Sequence, residues 1–127
     1  MRQWEIWLVD QKYARKELNP PQPNDPSEYN RMYVVVANPH GRSTVLCCPF
    51  QNSLSGVSMS EVVLPQGYTG AITKDCKIVC HDIFTLPQKY FVTKKGFLRK
   101  PEQDKVQVAL ALASLALPVL TEIKPPA

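Results

Sequence analysis

The stretch RMYVVVANPHGRSTVLCCPF, residues 31–50, reads as two β-strands around a turn. Val, Tyr, Thr and Phe favour extended backbone because their branched or aromatic side chains fit a pleated surface. Between the two runs, PHG at 39–41 supplies turn chemistry: Pro pre-sets φ near −65° and Gly tolerates positive φ. Moving outward, WEIWLV near the start, SEVVLP after residue 59 and CKIVCHDIF from Cys76 have the same composition, separated by Pro, Gly, Asn and Ser clusters. A second credible turn is PQGYTG at 65–70. Five or so strands of this kind predict a small, strongly bent antiparallel sheet or partly open β-barrel.

The chain's 127 residues suit one domain spanning 1–127, long enough to bury a core without staples. No internal repeat is visible. Charges interrupt the apolar positions of MRQWEIWLVD, which does not read as a signal peptide. The expected compartment is therefore cytoplasmic, with its four cysteines reduced. The longest apolar run, 106–120, is shorter than the roughly 20 residues that cross a bilayer and contains Gln107, Ser114 and Pro118. It reads as part of a C-terminal α-helix over 101–117. Pro101 suits its first turn, Glu102 and Asp104 complement its dipole, and Pro118 ends it. Apolar residues surround much of its circumference, which suits packing on the sheet and against a second subunit. Residues 118–127 form a tail compatible with an edge strand or a disordered end. Residues 11–30 carry Pro20, Pro21, Pro23 and Pro26 with no helix or strand period, and read as a long flap over a surface groove.

The net charge of +4 is unevenly placed. Lys89, Lys94, Lys95, Arg99, Lys100 and Lys105 crowd the segment 88–105, a solvated face or a surface that concentrates a polyanion such as RNA. The cysteines suit a metal poorly, and only a site drawn from different strands remains open. Cys76 and Cys80, four apart on a strand, would be separated by about 13 Å at roughly 3.3 Å per residue. Two thiolates on one zinc lie only about 4 Å apart, and a disulfide needs Cα atoms within roughly 7 Å. Cys47 and Cys48 point to opposite faces. Strand alternation would place His81 with Lys77, on the face opposite Cys76 and Cys80. Arg31 precedes the strongest strand where the long loop ends, and a cation at the mouth of a groove can contact phosphate.

Taken in order, EIWLVD, an Arg before VVV, VLCCPF, EVVLP, KDCKIVCHDIFTL and KKGFLRKPEQDKVQVALAL resemble the MazF/PemK (Kid) family of toxin endoribonucleases over nearly the whole chain. The resemblance implies an SH3-like, strongly curved antiparallel β-barrel with a C-terminal α-helix. It also implies a homodimer that cleaves single-stranded RNA without a cofactor or metal, and a cognate antitoxin that occupies the RNA groove. Carried over singly, Arg31 falls on the family's phosphate-stabilising Arg, and His81 on a position that holds Asp or His beside the scissile phosphate. The family's Thr or Ser after the Pro of the third strand is Gln51 here, with Asn52 and Ser53 beyond. Its common Arg after the Asp or His is Phe84, and its Gly before the first strand is Trp4.

Cleavage without a metal requires a base for the 2′-hydroxyl proton and cationic donors around the phosphorane. The expected set is His81 as acid/base, Arg31 on the phosphate, and Gln51 or Ser53 donating a hydrogen bond. Lys77, Lys89, Tyr29 and Phe84 are the expected RNA contacts, since splayed bases stack on aromatic side chains. The alternative is a catalytically degenerate module of the same fold that binds RNA or an antitoxin-like peptide.

Overall fold

The computed structural model describes residues 1–10, 30–38 and 42–122, with side chains through residue 114. Nearly all of the expected flap at 11–30, the PHG turn, Tyr29 and the end of the tail lie outside the described residues. Among the described residues seven strands form: β1 (Glu5–Asp10), β2 (Asn30–Ala37), β3 (Thr44–Gln51), β4 (Glu61–Leu64), β5 (Cys76–Val79), β6 (Phe84–Pro87) and β7 (Phe91–Phe97). A helix, α1 (Lys100–Glu122), follows them. The sheet order is β4-β5-β3-β2-β1-β7, with β6 also on β3, and every pairing is antiparallel. Register shifts within the β1–β7 and β2–β3 pairings add twist and curl the sheet. The fold is mainly β with one C-terminal helix, as the sequence predicts.

Strand alternation divides the apolar side chains between two faces. Val34, Val36, Cys48 and Phe50 join Ile6, Ile78 and Leu98 in one core, which α1 closes with Val106 and Ala109. Tyr33, Val35, Val45 and Cys47 turn the other way, to a second cluster with Val9, Leu86 and Phe91. Adjacent Cys47 and Cys48 thus do fall on opposite faces. Before β1, Trp4 holds φ +74° while its indole is buried in the first core. A side chain there costs strain that Gly would avoid, which gives the family's Gly a physical meaning. Trp4 offsets the strain with buried ring area and with hydrogen bonds from its N–H to Val35 O (2.7 Å) and from Leu98 N–H to its carbonyl (2.9 Å).

Two expectations about CKIVCHDIF are corrected. The segment is not one strand. One edge of β3 takes both β5 and β6, with Phe50 opposite Ile78 and Cys47 opposite Phe84. Only residues 48 and 49 separate those positions on β3, whereas 79–83 separate them on the other chain segment. The excess leaves the ladder as a turn, closed by Asp82 N–H to Val79 O at 3.3 Å, and His81 lies in it, exposed. Nor is Lys77 accessible. It is 4% exposed because its ammonium pairs with Glu61 on β4 at 2.8 Å and donates to Ser55 O at 3.3 Å.

The helix also differs from its expected 101–117 span, running past Pro118 to Glu122. Pro118 removes one N–H and crowds the carbonyl four residues back, but the Leu- and Ala-rich sequence around it favours helix strongly enough to continue.

Candidate functional site

Arg31, the second residue of β2, pairs with Val9 of β1. Continuing the register from Tyr33 opposite Pro49 brings it beside Gln51, the last residue of β3, which in turn faces Lys77 on β5. The Arg31 Nε–H donates to Phe50 O at 2.7 Å. That bond fixes the guanidinium at the wall of an open groove of about 480 Å³ and leaves its terminal nitrogens without a partner among the described residues. Asn30, Gln51, Asn52 and Lys95 supply the rest of the polar lining, over Leu8, Met32 and Phe50. Among the described residues, two cations and three amides line this space and no carboxylate does. Such a lining attracts an anion and offers it directional donors. Arg suits the task because its guanidinium stays charged and presents a planar fork to phosphate oxygens.

A second cavity of about the same volume lies between β4 and α1, lined by Met59, Val62, Val63 and Val108, with Asp104 beside Lys105. It is mainly apolar, and with Glu61 its lining carries two carboxylates against the one cation, which does not favour an anion. The donors that suit an anion lie in the Arg31 groove instead.

The structure brings Arg31 and Gln51 together and leaves the other described residues of the expected site elsewhere. His81 lies in the turn that follows β5, exposed. Its Nδ1 shares a hydrogen bond with Ser60 Oγ at 2.7 Å, and it does not line the groove. Ser53 is exposed and accepts the Ser55 N–H at 3.4 Å, also outside the lining. Lys77 is withdrawn into its ion pair with Glu61. Phe84 packs edge-on to Tyr33, centroids 6.1 Å apart, and serves the second core instead of offering a free stacking face. Lys89 is exposed and sits 5.1 Å over the Tyr90 ring, between β6 and β7.

The basic run does not act as a block. Lys94 pairs with Glu5 at 2.7 Å and Lys100 with Asp104 at 2.9 Å, while Arg99 lies 4.0 Å over the Tyr68 ring. Of these cations, Lys95 is the one that enters the groove lining. Sequence reasoning passed over Lys95 within its run, and over Asn52 and Asn30. The signal for Asn52 was its place immediately after Gln51 at the end of β3.

The four cysteines are buried and free. Burial pushes the Cys47 thiol up to about 12. A hydrogen bond with the Cys80 thiol, then burial, raises Cys48, while burial and neighbouring Asp75 raise Cys76. Thiols held protonated in this way are poor nucleophiles and poor metal ligands. Among the described residues, no three His, Cys, Asp or Glu side chains converge as a metal site.

Fold and groove together define a class: a small, curved, mainly β protein with a C-terminal helix and a cationic groove at the end of its central strands. The family model of PemK-like, MazF-like toxins of type II toxin-antitoxin systems matches residues 2–114, and the chain belongs to that family. Among solved structures, the Mycobacterium tuberculosis toxin MazF-mt6 matches with a TM-score of 0.65 at 12% identity, over 87% of this chain and 95% of that one. An endoribonuclease in complex with its cognate antitoxin, from Mycobacterial species, matches with a TM-score of 0.67 at 13% identity, over 90% and 94%. A further endoribonuclease from Mycobacterial species gives 0.63 at 13% identity, covering 90% of each chain. At such identities the likeness is one of fold. No curated protein matches the chain.

Proposed function

We propose that this chain is the toxin of a toxin–antitoxin pair and an endoribonuclease that cuts single-stranded RNA in the Arg31 groove. The observation that carries the reading is the groove in which Arg31 and Gln51 stand side by side, with no carboxylate among the described residues of its lining. In the proposed reaction the 2′-hydroxyl loses its proton, its oxygen attacks the adjacent phosphorus, and the bond to the 5′-oxygen breaks as that oxygen takes up a proton. The products are a 2′,3′-cyclic phosphate and a 5′-hydroxyl. Arg31 stabilises charge on the phosphorane, and the Gln51 amide donates a hydrogen bond where the family has Thr or Ser. His81 lies outside the groove and is assigned no proton transfer here.

A type II partner follows from the family: an antitoxin protein whose extended segment competes with RNA for the groove. A homodimer is the proposed assembly, supported by the exposure of Met59, Val63 and Val108 around the apolar β4–α1 cavity. Light scattering on the purified protein tests it. Among the described residues no His lines the groove, which favours a second reading, a module that binds RNA or peptide without cutting. Digestion of a mixed-sequence RNA with a chelator present separates the two. The nuclease reading requires cleavage that falls by orders of magnitude in Arg31→Ala. Tight binding of intact RNA identifies the binding module.

A further inference from the structure

A second recess of about 300 Å³ adjoins the Arg31 groove and shares Met32, Asn52 and Ala71 with it. Its own polar groups are Thr73 and Lys74, over a floor that includes Ile72 and Cys76. Like the groove, it has no carboxylate among the described residues of its lining. Asp75, the nearest in sequence, is engaged elsewhere, accepting the Gln66 N–H at 2.8 Å. Asn52, Thr73 and Lys74 have no hydrogen-bond partner among the described residues, so their polar groups are available to a ligand.

The wall that carries Thr73 and Lys74 is held firmly. Gly67 N–H donates to Ile72 O at 2.8 Å, Tyr68 N–H to Pro65 O at 3.1 Å and Ile72 N–H to Thr69 O at 3.1 Å. Tyr68 anchors the same turn from below: its hydroxyl donates to Glu102 Oε1 at 2.5 Å and accepts the Arg99 N–H at 2.7 Å. On β7, Gly96 comes so close to Thr69 that an added Cβ would lie 2.8 Å from Thr69 Cγ2. A site built on such a wall loses little freedom when a ligand binds.

We propose that this recess is a nucleobase subsite, which holds the base next to the phosphate at Arg31. Asn52 and Thr73 read the hydrogen-bonding edge of that base, and Lys74 contacts the following phosphate. An amide offers a donor and an acceptor side by side, the pattern that a base edge requires. The recess surface is mainly polar, which suits hydrogen bonding to a base edge, and the volume stands at the small end of ligand pockets, suited to one base-sized group. Cations on both sides, Arg31 with Lys95 in the groove and Lys74 beyond the recess, suit the phosphates that flank a nucleotide. The inference rests on the reading of the groove as an RNA site and adds which residues select sequence there.

The experiment is cleavage-end sequencing on a randomised RNA with the full chain and its Asn52→Ala, Thr73→Val and Lys74→Gln variants, thermal melts confirming that each folds. The expected result is a base preference at one position beside the cut that Asn52→Ala and Thr73→Val both weaken by about tenfold, at that position only. Lys74→Gln slows cleavage of all sequences alike and lowers the salt dependence. Unchanged preferences in both Asn52→Ala and Thr73→Val overturn the subsite while leaving the nuclease reading intact. If the parent protein does not cut, the same library is sequenced after binding. Weakened selection in the two variants then upholds the subsite without the nuclease, and binding with unaltered selection, or no binding at all, overturns it.

Discussion

The buried pair of Lys77 and Glu61 gives the sharpest stability prediction. Both side chains are 5% exposed and 2.8 Å apart, tying β5 to β4, while Lys77 also holds the Ser55 carbonyl of the segment that follows Gln51 and Asn52. Lys77→Met keeps the chain length but strips Glu61 of its partner, at a cost of about 3–5 kcal/mol for an uncompensated buried charge. For a domain of this size that is a fall in Tm of roughly 12–20 °C. The double variant Lys77→Met/Glu61→Leu removes both charges and should lie within about 1 kcal/mol of the parent or above it. pH separates this account from simple loss of packing. Burial alone would raise the Glu61 carboxyl, but the hydrogen bonds from Lys77 and Ser58 and the Lys77 charge together hold it below the usual carboxylate range. In the parent, the Glu61 contribution is full above the unfolded carboxylate pKa and is lost as pH falls through the lowered folded one. In Lys77→Met, burial wins and the folded carboxyl lies above its unfolded value, so the variant loses stability as pH rises through that region. Thermal melts of the three proteins between pH 3 and 8 measure this. A single variant that loses under about 1 kcal/mol, with the parent's pH profile, would refute the reasoning.

Other predictions concern the frame of the site. Glu5 accepts from Lys94, the Arg2 N–H and the Trp7 indole, which together outweigh burial and hold its carboxyl at about 2. Its stabilising contribution is present above the unfolded value and lost as pH falls from about 4.5 toward 2, so acid titration of Glu5→Gln should show a flatter stability profile in that window. Gly96→Ala meets both φ +143° and Thr69; a loss of about 1–3 kcal/mol is expected, only partly restored by Thr69→Ser, as denaturant melts will report. Trp4→Gly relieves about 1–2 kcal/mol of backbone strain but loses a buried ring worth about 3–5 kcal/mol, giving a net loss of stability in the same melts.

Much of the fold is legible in local composition. The β-branched run Val34–Val36 and its aromatic neighbour Tyr33 favour a strand wherever they lie, and alternation correctly separates Cys47 from Cys48. The break at 80–83 was not legible, because it comes from how two segments share one edge of β3, a matter of register between residues distant in sequence. Burial of Lys77 was hidden for a related reason: its partner Glu61 lies on another strand. At the site, Arg31 and Gln51 could be paired from strand order and family resemblance together. Strand alternation does not place His81, because β5 ends at Val79 and alternation has no meaning within the turn that follows. Asn52, Thr73 and Lys74 come together only because the Tyr68 turn folds back over the end of β3.

The central claim is that Arg31 serves RNA cleavage, and the end chemistry of a defined RNA tests it most directly. Incubated with chelator, the parent protein should leave 2′,3′-cyclic phosphate and 5′-hydroxyl ends at fixed positions, and Arg31→Ala should leave the RNA whole while remaining folded. Fragments with 5′-phosphate ends, or an undiminished pattern from Arg31→Ala, would contradict the account.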